Sequence, residues 1–293
     1  MDTQEQNAMI IGGRKNFWIW SKENGFDITH PSDPDQPLIY PRITLATRSE
    51  QATLDPAKTA LVVTDMQNYF LSPLLDRPPD SLGLKIVDRL TAEVIPACRK
   101  AGIRVVWLCW GLEDADLDDM PPSIARGYDF PLDKNFTKPR FLGRLGQQMG
   151  PIKLQDGREI EAGRVMMRDQ CNTALVPKLA EAVAAEDIWV NKSRLSGFWG
   201  GTEAEATLRA KGITTLLFSG ENTDQCVAAS MQGSYTQGWD CLMLSDACAT
   251  TSPDFATKCI EYNCQGGWGF VLSCKQLVDG INAMQVGPEE TAA

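Results

Sequence analysis

From Thr59 onward the chain alternates short, continuously apolar runs with stretches in which apolar residues recur every three or four positions. The first pattern suits strands, the second helices packed on one face. Strands are predicted at 59–65, 103–110, 187–192, 213–219 and 240–245, with a less marked sixth around 269–273. Helices are predicted between them at 81–101, 174–184, 203–211, 225–237 and 253–264, and a last one near 275–284. Runs such as Ala60-Leu61-Val62-Val63 and Val105-Val106-Trp107-Leu108 have no polar face, so they need cover on both sides. The expected fold is therefore α/β: helix, sheet, helix in three layers around a mostly parallel, six-stranded, Rossmann-like sheet.

Two segments break the alternation. Residues 1–58 are rich in Trp, Pro and Asp, including His30-Pro31-Ser32-Asp33-Pro34-Asp35, and are expected as an extension over the domain or a neighbouring subunit. The main domain then spans 59–285, with a tail at 286–293. The connection at 111–172 is too long for a passive loop and is expected to be a lid or a subunit contact. Within it, residues 152–160 centre on Asp156-Gly157, a hairpin signal.

Charge and composition narrow the partners. A formal charge of −10 and a pI near 4.7 disfavour nucleic acid and anionic membranes, which would be repelled, and leave a small molecule as the expected partner. The polar start at Met1–Met9 lacks the basic and apolar regions of a signal peptide, and no later run approaches a membrane span, so a cytoplasmic location is expected. Nine cysteines without a C-x-x-C pair fit reduced thiols, most of them small core residues. The single histidine, His30, rules against a His-assisted triad and a multi-histidine zinc site. The acidic run 113–119 lacks calcium-loop spacing and is read as solvated surface. No metal and no cofactor is expected.

In an open parallel sheet, ligands bind beyond the carboxyl ends of the strands. Three groups leave that edge: Asp65 in Thr64-Asp65-Met66-Gln67-Asn68-Tyr69-Phe70, Lys192 ahead of Ser196-Gly197-Phe198-Trp199, and Cys226 in Gly220-Glu221-Asn222-Thr223-Asp224-Gln225-Cys226. Thr223 or Asp224 is expected to cap the helix of Cys226, placing the thiol where backbone N–H groups favour a thiolate and an oxyanion. A free thiol, with a pKa of about 8.5, needs a base and a cation to become a nucleophile at neutral pH. Asp65 and Lys192 supply them. Phe70, Trp110, Phe198 and Trp199 either wall a pocket or pack in the core. Gln67 and Asn68 either orient Asp65 and meet a substrate carbonyl or satisfy loop backbone.

These motifs, in this order over roughly 59–249, resemble the isochorismatase-like cysteine hydrolases, whose members include N-carbamoylsarcosine, biuret and ureidoacrylate amidohydrolases. The resemblance implies an Asp65, Lys192, Cys226 triad and a non-proline cis peptide at Glu221-Asn222. It also implies an oxyanion hole from the N–H groups of Asn222 and Cys226, and a homo-oligomer, dimer or tetramer. Nicotinamidases of this kind hold a metal through an Asp and histidines near the second strand. Here Trp110 and Gly111 lead into Leu112-Glu113-Asp114 without a histidine, which points away from nicotinamide. True isochorismatases generally lack the cysteine, so Cys226 favours attack on a carbonyl. Glu221 and Asn222 stand where small or apolar residues are common.

The expected activity is hydrolysis of an amide, ureide, imide or lactam C–N bond through a thioester. Two alternatives share the sequence: cleavage of a vinyl ether or lactone on the same fold, and a silent binding or scaffold protein built on the insert and extension.

Overall fold

The N-terminal residues, expected only as an extension, form strands. In the computed structural model, which describes residues 8–36, 38–129, 144–154 and 156–287, Ala8–Gly13 (β1), Asn16–Ser21 (β2), Gly25–Asp27 (β3), Ile43–Leu45 (β4) and Ala52–Leu54 (β5) make a sheet of five, ordered β1-β2-β3-β5-β4. Most of the expected tail at 286–293 lies outside the described residues. The five-stranded sheet is part of the core: Ile28, Ile43, Leu45, Ala52 and Leu54 share one buried cluster with the main domain. Trp18 and Phe26 both pack on the ring of Phe270, at 5.7 and 5.3 Å. A polar clip adds to this, with Asp240 taking hydrogen bonds from Trp18 Nε1 (2.9 Å) and pairing with His30 Nε2 (2.6 Å).

The second sheet is the expected one. Thr59–Thr64 (β6), Arg104–Trp110 (β7), Ile188–Lys192, Thr215–Glu221, Asp240–Ala249 and Phe270–Leu272 align in parallel, each within a few residues of its predicted span. Between β7 and the third of these strands lies a hairpin, Pro151–Lys153 (β8) and Glu159–Glu161 (β9), pairing Ile152 with Ile160 around the Asp156-Gly157 turn. With the remaining strands numbered β10 to β13, the sheet runs β10-β7-β6-β11-β12-β13. The winding reverses between β6 and β11, and the crevice outside their carboxyl ends is where such sheets bind ligands. Alternation along each strand divides the core in two. Leu61, Val63 and Leu217 face one helical layer, whereas Ala60, Val62 and Phe218 face the other.

The helices of one layer begin with the short turn Asn68–Leu71 (α1), followed by Leu82–Arg89 (α2) and Ile95–Lys100 (α3). A wider turn at Leu90–Val94 joins α2 to α3, so the expected helix at 81–101 is continuous but loosened ahead of Pro96, which has no N–H to give. The insert holds Asp114–Asp118 (α4) and Pro122–Asp129 (α5). Pro177–Ala180 (α6) is a single turn where a helix over 174–184 was expected, because Asp187 Oδ2 takes the Ala184 N–H and turns the chain into β10. Ala204–Ala210 (α7), Ala228–Thr236 (α8), Asp254–Asn263 (α9) and Cys274–Asn282 (α10) complete the layers. Among the described residues no helix is long and apolar enough to cross a membrane.

Candidate active site

β6 delivers Asp65 through a sharp exit. Asp65 sits at φ 51°, in the left-handed region, with its N–H bonded to Leu108 O at 2.8 Å and its carbonyl taken by the Gln67 N–H at 2.8 Å. That turn lifts the carboxylate out of the sheet, at a backbone cost of about 1–3 kcal/mol that the surrounding bonds must hold in place. Lys192 ends β10, two strands away, and its Nζ reaches Asp65 Oδ2 at 2.9 Å, with both side chains shut off from solvent. The ammonium passes over the Trp110 ring, 4.1 Å from its centroid. Trp110 also gives its N–H to Asp65 Oδ1 at 3.2 Å.

β11 brings the thiol to the same rim. Gly220 is the one residue that fits where β11 closes on β6: its φ is 110°, and a Cβ there would stand 2.1 Å from Thr64 O. A register shift between Phe218 and Gly220 against β12 re-aims the strand end. The peptide Glu221-Asn222 is cis. Cys226 follows in a wide turn at Thr223–Val227 that leads into α8. The expected cap is not made. Asn222 is the residue at the cap position, Asp224 Oδ1 instead accepts from Thr250 Oγ1 at 2.6 Å, and Thr223 Oγ1 is buried without a partner among the described residues. Asn222 O accepts from the N–H groups of Gln225 and Val227, at 3.0 and 3.2 Å.

The thiol faces the Asp65 carboxylate and the Trp110 indole, both close enough to act on its protonation. Burial, then the Asp65 charge, push it up to about 12, outweighing the opposing pull of Lys192 and the indole N–H. Burial also raises Asp65 above the ordinary carboxylate range, against the lowering effect of Lys192. Both groups are thus pushed toward their neutral forms by burial, while Lys192 favours the charged form of each. Asp65, Lys192 and Cys226, expected at one rim, are brought together there.

The insert covers this group. Cys226, 4% exposed, shares an apolar cluster with Trp110, Leu112, Val165, Met166 and Met167, bordered by Tyr69, Phe70 and Tyr128. Tyr128 meets the Trp110 ring edge-on at 5.1 Å. The thiol is thus roofed by the insert and floored by charge, not sealed within either sheet core. The acidic run at its start is tied down on the surface: Glu113 and Asp116 cap α4, while Asp114 and Glu113 pair with Arg164 and Arg168. Among the described residues no cluster of His, Cys, Asp or Glu is arranged to hold a metal.

The other expected pocket residues divide. Trp110 and Phe70 stand at the thiol. Phe198 does not: it packs against Phe218 and Trp239 in the core that α8 covers. Trp199 lies under Arg194, whose Nη2 reaches Asp119 O at 3.1 Å, so it borders the insert. Gln67 is fully buried and fully used, donating to Trp110 O (2.7 Å) and Thr173 O (2.6 Å) and accepting from the Trp110 N–H (2.9 Å). Asn68 donates to Cys171 O at 2.9 Å. Both pin the ends of the insert, and Gln67 has no group left for a ligand. Tyr69, Tyr128, Met166 and Met167 were not singled out from sequence. The hydrophobic spacing of Ile124 and Tyr128 in α5 was the available signal.

Comparison with known proteins identifies the family and the fold. A family model described as an isochorismatase domain matches residues 59–267. The ureidoacrylate amidohydrolase RutB of Methylobacterium radiotolerans is 30% identical over 241 residues, 78% of this chain and 81% of that protein. RutB of Caulobacter vibrioides is 29% identical over 243 residues, 82% of this chain and 93% of that one. Among solved structures, a cysteine hydrolase from Pseudomonas syringae pv. phaseolicola superposes with a TM-score of 0.57 at 18% identity, covering 85% of this chain and 99% of its own. N-carbamoylsarcosine amidase from Thermoplasma acidophilum gives 0.52 at 22%, covering 74% and 96%. With most of its length matched by that domain, and the expected fold found in the neighbours, the chain belongs to the isochorismatase family.

Proposed function

We propose that the protein is a cysteine amidohydrolase that cleaves a C–N bond beside a carbonyl in a small molecule. The observation carrying this reading is the convergence of Cys226, Asp65 and Lys192 at the switch point of the sheet, all three buried beside the apolar residues of the insert. The relatives named as ureidoacrylate amidohydrolases support amide rather than ether chemistry.

The protonation pattern dictates the order of events. As the sulfur attacks the carbonyl carbon, its proton passes to Asp65, whose proton affinity burial raises above that of a free carboxylate. Charge then appears on the carbonyl oxygen, and main-chain N–H groups at Asn222 and Cys226 take it. The C–N bond breaks as Asp65 returns the proton to the leaving nitrogen, leaving a thioester on Cys226. A water molecule next gives its proton to Asp65 and attacks the thioester. Collapse releases the carboxylic acid and restores the thiol with that proton. Lys192 stays paired with Asp65 throughout and keeps a buried carboxylate available. The indole N–H of Trp110, which favours the charged form of the thiol, is one more donor at the sulfur. Because the roof comes from the insert, substrate entry requires part of the insert to move.

Ammonia or amine release across ureides, carbamoyl amino acids, imides and lactams tests the proposal, with Cys226→Ala run alongside. The expected result is release by the native enzyme, a mass increment on Cys226 matching the acyl group, and none of either in the variant. Full turnover by Cys226→Ala, or release of an alcohol or enol without nitrogen, overturns it.

A further inference from the structure

The small N-terminal sheet turns Ile43, Leu45, Ala52 and Leu54 into the core, so the residues alternating with them belong to its other face. The register runs Ile19, Asp27, Thr53 and Thr44 across that face, one residue from each of β2, β3, β5 and β4. Such a row ordinarily meets water, yet Thr53 is 3% exposed. The row lines a cavity of about 750 Å³, to which the connection between β3 and β4 contributes Thr29, Pro34 and Ile39. Arg42, 8% exposed, lines it too. Its backbone is pinned, the N–H to Gln285 O and the carbonyl from the Gln285 N–H, each at 2.9 Å. Its guanidinium is only partly used. Nη2 donates to Asp27 Oδ2 at 2.7 Å, but Asp27 Oδ1 is taken by the main-chain N–H and the hydroxyl of Thr29, at 2.9 and 2.7 Å, so the pair is held by one prong. Nη1 is left buried with no hydrogen-bond partner among the described residues.

We infer that this cavity is a second small-molecule site, apart from the thiol, for an N-acyl amino acid whose single carboxylate binds Arg42. A buried guanidinium N–H without an acceptor is costly, and a carboxylate brings two acceptor oxygens to the fork. A second negative charge on the ligand is disfavoured, since Asp27 and Glu23 line the cavity and the chain carries −10 overall. The Thr44 and Thr53 hydroxyls bond each other at 2.9 Å, which leaves one of their two protons to give, and Gln51 adds a carboxamide. These groups match the carbonyl and N–H of an amide. Ile19, Pro34 and Ile39 offer apolar surface to the acyl chain. The volume lies within the range of about 300–1,000 Å³ usual for small-molecule pockets. Asp65, Lys192 and Cys226 do not line this cavity, so the site stands apart from the amidohydrolase reading.

Titration calorimetry of the full-length protein tests this with three probes: N-acetylglycine with one carboxylate, N-acetylglycinamide with none and N-acetylaspartate with two. A Cys226→Ala background keeps the probes from being consumed. N-acetylglycine is expected to bind about tenfold more tightly than either of the others. Arg42→Gln should bring it down to the level of the uncharged amide and leave that amide's affinity unchanged, while Arg42→Lys keeps part of the preference. Thr53→Leu leaves the Arg42–Asp27 pair in place and extends a larger side chain into the cavity, so it should weaken all three. Urea midpoints show that each variant is folded. Absence of saturable binding by N-acetylglycine overturns the inference. So does a preference for it that survives Arg42→Gln, or undiminished binding in Thr53→Leu. Failure of the hydrolase reading shows separately, as amide hydrolysis that survives Cys226→Ala.

Discussion

Lys192 reaches Asp65 across an intervening strand, placing Nζ 2.9 Å from Oδ2 with the Trp110 ring beneath it. Taking two ions out of water is costly, and the pair holds only while both members are present. Lys192→Met should therefore strand a buried carboxylate, costing about 3–5 kcal/mol and abolishing turnover. Urea unfolding checks the stability. Adding Asp65→Asn to it should restore most of the lost stability and none of the activity; a double variant as unstable as the single one counts against this account.

Stability should decline at alkaline pH through the buried thiols. Burial pushes Cys98, Cys226, Cys241 and Cys264 from 9.0 up to about 12. The native state keeps these protons while the unfolded chain gives them up first. Their contribution is whole below pH 9.0 and is lost as pH rises toward about 12. Each thiol adds a slope of about 1.4 kcal/mol per pH unit in that window. Urea midpoints taken on either side of the ordinary thiol range should show the fall, and Cys226→Ala should flatten it by one thiol's share.

Gln67 ties Trp110 to the end of the insert through three hydrogen bonds. Gln67→Leu keeps the volume but takes the side-chain donor from two buried carbonyls and leaves the Trp110 N–H with its longer bond to Asp65, a loss of roughly 2 kcal/mol or more. Limited proteolysis is expected to cut the insert faster in this variant. Cleavage at the native rate would show that the roof is held by other contacts.

Asp240 receives Trp18, His30 and Thr215 at one carboxylate. Asp240→Ala should release the N-terminal sheet from β12 and lower stability by about 2–4 kcal/mol. Tryptophan fluorescence should report a more solvated Trp18, and an unaltered spectrum would argue against the clip.

How much of this was legible in the sequence depended on how local the signal was. The strands of the parallel sheet are continuous apolar runs, so β6, β7 and β10 were found to within a residue. The meeting of Asp65, Lys192 and Cys226 at one rim followed because each sits at a strand end or just beyond it. The N-terminal sheet was missed because three of its strands have three residues each and β3 pairs in parallel with β5, so no periodicity develops along the chain. The β1–β2 hairpin did leave a trace in Ile10-Ile11-Gly12-Gly13 ahead of Phe17-Trp18-Ile19-Trp20. Gln67 and Phe198 resisted assignment for a different reason. Their neighbours, Thr173 for one and Trp239 for the other, are brought in from far along the chain. The depth at which Cys226 is buried was equally hidden, because the insert residues that cover it, such as Met166 and Met167, lie far from it along the chain.

Because the insert supplies the roof over the sulfur while strand ends supply the charges beneath it, shape and reactivity are carried by different stretches of polypeptide. Exchanging Tyr128, Met166 or Met167 for smaller residues would widen the chamber and leave the chemistry in place. New molecules could be admitted by redrawing the ceiling alone.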